Sequence, residues 1–425
     1  MFLGVIADDF TGATDIAGFL VNNGLPTVQL NGSAGADIPP GTEAVVVSLK
    51  SRSCPAPEAV RLSLDALNYL RSIGCTQFFF KYCSTFDSTA KGNIGPVTDA
   101  LMDALGTGLT VICPALPVNG RTVYQGYLFI GGALLNETGM RNHPLNPMRD
   151  ASLLRLMDAQ SRGRSGNVPA QVIAQGAGAV RSRLDDLRAQ GVSYAVLDTL
   201  ADADLDVLAE ALSGMPLVTG GSGLGGAIAR RYAAGSGGGS CATDPGLPSA
   251  GGKTILLSGS CSEMTNRQVA AYAARAYVLK ADIVRCMAYA EGYAQEVLAV
   301  AQAHAGDAMP PLVSATVPPA ELKSIQEQWG VEQSSRCVER FFARLAVLLR
   351  GTGYDHFIIA GGETSSVVSQ ALAVKGFAIG PQIAPGVPWV RTLDGALSLA
   401  LKSGNFGDEG FFTRALSFIP QDARS

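Results

Sequence analysis

The sequence is sparing with the residues that build metal centres and basic surfaces. It has three His and eight Cys, the latter at positions 54, 75, 83, 113, 241, 261, 286 and 337, with no C-x-x-C pair. That inventory argues against a structural zinc site and a disulfide framework. Free thiols in a reducing, cytoplasmic setting are expected. Charged residues make up only 16% of the chain, and the net charge is −4. No basic block stands out, so a nucleic-acid partner is not expected, and any anion must be bound by local basic residues. No run approaches the roughly 18 apolar residues of a spanning helix, so no membrane partner is expected. The first residues lack a positive n-region and Asp8-Asp9 interrupts the first apolar stretch, so no signal peptide is expected either.

What the chain does have is glycine (50 residues), alanine and a 47% hydrophobic share over 425 residues. That length exceeds one ordinary core and implies about two domains of α/β type. The clearest boundary is the run Ala234-Gly235-Ser236-Gly237-Gly238-Gly239-Ser240, which continues through Pro245 and Pro248 to Gly252. It reads as a flexible linker, 234–252, dividing a domain 1–233 from a domain 253–425.

The first half repeats a short apolar strand, a polar loop and a helical pattern. Strands are expected at Leu3–Ala7, Ala44–Ser48, Gln77–Phe80, Thr110–Cys113, Tyr194–Leu197 and Leu217–Thr219. Helices are expected at Asp15–Asn22, Glu58–Ser72, Val97–Leu105 and Asp202–Leu212. Continuous rather than alternating apolar strands, separated by helices, predict a doubly wound, mostly parallel sheet. In the second half, strands are expected at Thr254–Leu257, Tyr277–Lys280 and His356–Ala360. Helices are expected at Met264–Arg275, Gly292–His304 and Ser335–Gly351, with one more after Glu363; this half also reads as α/β.

In such sheets ligands bind at the carboxyl ends of the strands. There the first half places Asp8-Asp9, then Lys50-Ser51-Arg52-Ser53. Next come Lys81 with Cys83 to Thr89 and Gly92-Asn93-Ile94-Gly95, then Asn119-Gly120-Arg121, then Asp198-Thr199. Carboxylates, Arg, Lys and hydroxyls on one rim suit a small, hydroxylated, anionic ligand. Plainer roles stand beside this one: Asp8 or Asp9 as a helix cap, Lys50 and Arg52 as solvated charges, Lys81 and Asp87 as an ion pair. The second half has two Gly-containing loops after strands, Ser258-Gly259-Ser260 and Ala360-Gly361-Gly362-Glu363-Thr364, and a third Gly-containing loop, Lys402-Ser403-Gly404 within 401–407. Bare backbone N–H groups at a helix start favour phosphate, so these loops read as a nucleotide cradle, or as ordinary strand-to-helix turns.

Two motifs mislead. Gly221-Ser222-Gly223-Leu224-Gly225-Gly226 matches G-x-G-x-x-G, but the strand and acidic residue that should follow are replaced by the linker, where only Asp244 is available. Gly251-Gly252-Lys253-Thr254 matches the end of a P-loop but precedes a strand. Gly220-Gly221-Ser222-Gly223-Leu224 lacks the last Gly of a nucleophile elbow, and His143, His304 and His356 join no visible acid/base constellation.

Taken together, Ala7-Asp8-Asp9-Phe10-Thr11-Gly12-Ala13, the Lys81–Gly95 segment and Gly361-Gly362-Glu363-Thr364-Ser365 resemble the four-carbon acid sugar kinase family over nearly the whole chain. Cys83 to Thr89 with Gly92-Asn93-Ile94-Gly95 is similar to its 3-oxo-tetronate kinase branch. Many relatives instead show Lys-Ile-Asp-Ser-Thr followed by Arg-Gly, and an Asp where Glu363 stands. The resemblance implies an N-terminal sugar-acid-binding domain, a C-terminal nucleotide-binding domain, and transfer of the ATP γ-phosphoryl group to the C4 hydroxyl of 3-oxo-tetronate. It implies ATP contacts at Ser258, Ala360, Gly361, Gly362, Glu363 and Gly404, with Mg2+ accompanying ATP and Glu363 as an outer ligand. On that reading Arg52, Lys81 and Arg121 hold the carboxylate and carbonyl region of a small four-carbon sugar acid. Asp87, Ser88 and Asn119 complete that site, and Asp9, with Asp8 beside it, is the base. Closure of the two domains would exclude water. A threonate or erythronate kinase, a non-catalytic sugar-acid sensor and an NAD-dependent dehydrogenase remain alternatives, and a homodimer is left open.

Overall fold

Apolar runs of four or five residues form strands that are buried along their whole length, because helices cover them. The computed structural model describes residues 1–32, 37–142, 146–235, 248 and 251–420. Most of the expected linker 234–252, and His143, lie outside the described residues. The chain divides into two compact units, Met1–Ala242 and Thr243–Ser425.

The first unit contains β1 (Leu3–Ala7), β2 (Thr27–Asn31), β3 (Ala44–Ser48), β4 (Gln77–Lys81), β5 (Thr110–Cys113), β6 (Arg121–Tyr124), β7 (Tyr127–Ile130), β8 (Ala133–Leu134), β9 (Ser165–Val168), β10 (Tyr194–Leu197) and β11 (Leu217–Gly220). Its main sheet runs β2-β3-β1-β4-β11-β5-β10-β9, and every pairing is parallel. From β1 the chain builds β2 and β3 on one side, then crosses to β4 on the other. That reversal puts the topological switch point between β1 and β4, where such sheets open a ligand crevice. Strands β6, β7 and β8 form a separate antiparallel sheet.

The separate sheet β6-β7-β8 escapes a sequence reading, and so do two strands of the main sheet. Gln29 interrupts the apolar run of β2, and β9 is Ser-Gly-Asn-Val, an edge strand carried by its pairing with β10. The helix Phe10–Asn22 begins five residues earlier than expected, directly after Asp9. It packs against the helix Ser222–Gly235. A Cβ at Gly225 would lie 2.8 Å from Ile16 Cδ1, and one at Gly226 3.1 Å from Asn23 Nδ2. Within the Gly221–Gly226 motif, Gly225 and Gly226 therefore serve close helix packing, and Gly221 and Gly223 lie against the backbone of Pro114 and Ala115.

The second unit contains β12 (Lys253–Ser258), β13 (Val278–Lys280), β14 (Leu312–Ser314), β15 (Tyr354–Ala360), β16 (Gly376–Ala384), β17 (Val387–Thr392) and β18 (Ser398–Lys402). Strands β13-β14-β12-β15-β18 are parallel, and β17 and β16 continue the sheet antiparallel. The helix expected at 292–304 ends at Ala303 and is preceded by a shorter helical stretch from Ile283, from which it is separated by a kink at Tyr289 (φ −161°, ψ 62°). One core cluster joins Leu256, Ile358 and Ala400 of the sheet to Trp389, Phe411 and Phe412.

Candidate active site

At the switch point, β1 and β4 end in register at Ala7 and Lys81, so the next residue on β1 is Asp8. The backbone N–H of Asp8 donates to Lys81 O (3.1 Å), and its carbonyl accepts from Ser51 N (2.9 Å) and Arg52 N (3.1 Å). The loop after β3 is thereby folded onto Asp8. Asn93 fastens it further, its Nδ2 donating to the carbonyls of Ser51 (2.7 Å) and Cys54 (2.8 Å).

Arg52 then forms a fork across both carboxylates. Its Nε donates to Asp8 Oδ2 (2.9 Å), and Nη2 donates to Asp8 Oδ1 and to Asp9 Oδ1 (2.7 Å each). Burial pushes the Asp8 carboxyl above its usual range, and Arg52 opposes that rise. Burial disfavours the charge on Arg52, but Asp8 and Asp9 more than offset it and hold the guanidinium well above its ordinary value. The two carboxylates differ in what remains free. Both oxygens of Asp8 are taken by Arg52, and its side chain is 7% exposed. Asp9 caps the helix Phe10–Asn22 by accepting from Gly12 N (2.9 Å) through Oδ1. Its Oδ2 has no partner among the described residues, and the side chain is 29% exposed. Asp9 is thus a cap and also keeps an accessible carboxylate oxygen.

Lys81 is buried and makes no ion pair among the described residues, so the Lys81–Asp87 pair is not formed. It stands within electrostatic reach of Asp8 and Asp15. Asp15 went unnoticed in the sequence. With the helix starting at Phe10, it lies one turn beyond Gly12, accepts a hydrogen bond from Ser222 Oγ, and lies within electrostatic reach of Lys81 and Arg121. Burial pushes its carboxyl upward, opposed by Lys81. Arg121, at the start of β6, donates through Nη1 to Asn119 O, and its buried Nε has no partner among the described residues. Asp198 holds this hairpin in place, accepting from Gln125 N (2.8 Å), Gly126 N (2.9 Å) and Ala170 N (3.1 Å).

The loop after β4 contains Phe86, fully buried with φ +47°, a strained position for a bulky residue. Next to it, the Asp87 backbone N–H donates to Cys83 Sγ (3.2 Å). The Ser88 hydroxyl donates to Gln160 Oε1 (2.6 Å), which also accepts from Gly95 N (2.9 Å). Ser88 thus ties its own loop together. The site therefore brings together Asp8, Asp9, Arg52 and Lys81, with Arg121 reaching them through Asp15.

In the second unit, β12, β15 and β18 end side by side, with Ser258 paired to Ala360 and Ala360 to Lys402. Gly259 N and Ser260 N donate to Ala360 O, and Gly361 N donates to Lys402 O (2.7 Å). A Cβ at Gly361 (φ +131°) would lie 2.9 Å from Thr364 Oγ1, and one at Gly404 2.8 Å from Ser260 Oγ. The three glycine loops converge so closely that side chains would fill the cradle. Ser258 itself is fully buried, its hydroxyl 2.6 Å from Thr316 Oγ1. Two helices begin here: Glu263–Ala273, capped by Ser262, and Gly362–Ala371, with Glu363 exposed in its first turn.

Lys402 was also missed. It is fully buried, and its Nζ donates to Gly404 O (2.7 Å), Ser403 O (2.9 Å) and Thr265 Oγ1 (3.1 Å), with no carboxylate partner among the described residues. Burial pulls it down to about 7. No group of three or more His, Cys, Asp or Glu able to hold a metal occurs among the described residues. The described cysteines are free, and no described helix is long and apolar enough to cross a membrane.

Residues 3–228 match a sugar-binding N-terminal domain model, and residues 255–412 match a nucleotide-binding C-terminal domain model. A 3-oxo-tetronate kinase from Brucella melitensis is 56% identical over 99% of this chain and 97% of its own. One from Pectobacterium atrosepticum is 58% identical over 97% and 98%. The chain belongs to the four-carbon acid sugar kinase family, in its 3-oxo-tetronate kinase branch. A crystal structure from Salmonella typhimurium LT2 superposes with a TM-score of 0.89 at 54% identity, covering 98% of this chain and 99% of that one. One from Haemophilus influenzae gives 0.83 at 53% identity, covering 97% and 99%. In this family's terms, the first unit holds the sugar-acid site and the second the nucleotide cradle. The G-x-G-x-x-G motif supplies close packing in the sugar-binding domain.

Proposed function

We propose that this kinase phosphorylates the C4 hydroxyl of 3-oxo-tetronate with ATP, giving ADP and the 4-phosphate. The observation that carries this reading is the pair of glycine-built and carboxylate-built strand ends, one suited to polyphosphate and the other to a sugar acid. Residues 234–252 join the two domains. The ammonium of Lys81, buried and without an ion pair among the described residues, and the guanidinium of Arg121 bind the substrate carboxylate and C3 carbonyl. Arg52 has its Nε edge committed to Asp8 and Asp9, so it contributes from its Nη1 side. Asp87 and Asn119 line the remaining hydroxyl, at C2.

The C4 hydroxyl gives its proton to Asp9 Oδ2 as its oxygen attacks the γ-phosphorus and the bond to the β-phosphate oxygen breaks. Asp8 serves Asp9 indirectly, by holding Arg52. Phosphoryl transfer asks mainly for positioning and charge neutralisation, which these groups supply. The cradle at Ser258, Ala360, Gly361, Gly362 and Gly404 brings two helix N-termini to the phosphates. The exposed Glu363 carboxylate would hold, through water, an Mg2+ ion accompanying the nucleotide, which would supply neutralisation of phosphate charge.

An ADP-release assay over four-carbon acids, oxidised and reduced at C3, tests the reading. Turnover with 3-oxo acids is expected. Faster turnover with threonate or erythronate would replace the substrate assignment.

A further inference from the structure

The nucleotide cradle occupies only one end of a larger hollow in the second unit. A cavity of about 450 Å³ continues from Gly259 and Thr364 toward the helices Pro319–Trp329 and Val331–Arg350. That volume is in the range of small-molecule sites, roughly 300–1,000 Å³. Three other clefts of this unit reach none of Gly259, Gly361 or Gly404.

Its walls are apolar where the cradle is polar. Val317, Leu322, Ile325 and Val338 line it, and each is left half-exposed. The helix Pro319–Trp329 buries none of its residues. Leu322 and Ile325, three apart and so on one face, are turned to the cavity instead of to a protein core. An apolar helix face that stays wet costs stability unless something apolar covers it. The carboxylates of Asp282, Glu321, Glu339 and Glu363 also line it. The glycine end offers helix N-termini to phosphate and the apolar walls suit a base, so a nucleotide fits with its phosphates at the glycine end and its base toward the helices.

Resting on the nucleotide-binding reading above, we infer that this cavity is the nucleoside subsite, with the purine of ATP against Leu322, Ile325 and Val338 and its phosphates across Gly259, Gly361 and Gly404. The helix Pro319–Trp329 is then a wall completed by the ligand. Its two apolar residues become buried only when the base is bound.

The test is steady-state kinetics on the full-length enzyme with two cavity-filling variants, Val338→Trp and Leu322→Trp. Leu322 lies on a helix without buried residues, so that variant tests the idea even where Val338→Trp folds poorly. Each is expected to raise KM for ATP by about tenfold or more, while KM for the sugar acid stays within about twofold. An ATP KM unchanged in a folded variant would overturn the subsite. So would an equal rise in both KM values, which would mean general damage. The broader reading fails differently: wild-type enzyme would release no ADP with any four-carbon acid.

Discussion

Asp8 and Asp9 are adjacent in sequence but differ in what their oxygens are free to do, and that difference can be measured. Asparagine caps a helix as well as aspartate does, so Asp9→Asn should leave the melting temperature nearly unchanged. It removes the proton acceptor, and kcat should fall by about 10²–10⁴-fold with ATP binding intact. A normal kcat would remove Asp9 from the mechanism. Asp8→Asn should act the other way, destabilising by roughly 3 kcal/mol because Arg52 loses its buried partner. Lys402 gives a signature in pH. Its ordinary value is 10.5 and its folded value about 7, so between these the unfolded chain holds a proton that the folded chain has released. Stability should therefore rise as pH climbs from about 7 toward 10.5, and Lys402→Met should flatten that slope in thermal melts. Identical slopes in both proteins would mean Lys402 is not the source.

At the scale of elements, the helix Phe10–Asn22 links packing to chemistry. Asp9 caps it, Asp15 sits on it, and the glycine stripe of the helix Ser222–Gly235 lies against it. Gly225→Leu would drive a side chain into Ile16. Overpacking of this kind typically costs about 1–3 kcal/mol. Here it should also lower kcat, because the displaced helix carries the Asp9 cap; urea unfolding and kinetics on one preparation would show both losses together. Stability loss with full kcat would uncouple the helix from the site.

This scale also shows what the sequence could and could not reveal. The rim charges were legible because Asp8, Arg52 and Lys81 directly follow or end continuous apolar runs. Asp15 was hidden because the Phe-Thr-Gly-Ala start of its helix does not look helical. Asn93 stands in the Gly92–Gly95 motif, but its partners are carbonyls about forty residues away, which no local pattern discloses. Lys402 ends a strand, and only tertiary packing makes it a buried cation. Strands β16 and β17 were obscured by Gly380, Pro381, Pro385 and Pro388.

For the whole molecule, each ligand should mark its own unit. Hydrogen exchange with the sugar acid should protect amides at 8–12, 50–53 and 81–88. Exchange with ATP should protect 258–262, 361–364 and 403–405. Protection of the first set by ATP alone would contradict the division of labour.

The parallel sheet of the first unit also sets an order of events during synthesis. Strand β4 lies between β1 and β11, and Gln77 is joined by its side chain to the carbonyls of Leu212 and Met215, 135 and 138 residues later. One long edge of β4, with its three consecutive phenylalanines, stays unpaired until the ribosome has delivered residues past 220. Such a delayed, non-local closure is slow and exposes a sticky edge meanwhile. The nascent chain is therefore most vulnerable to aggregation while its first 220 residues are being made. The second domain emerges only after that hazard has passed.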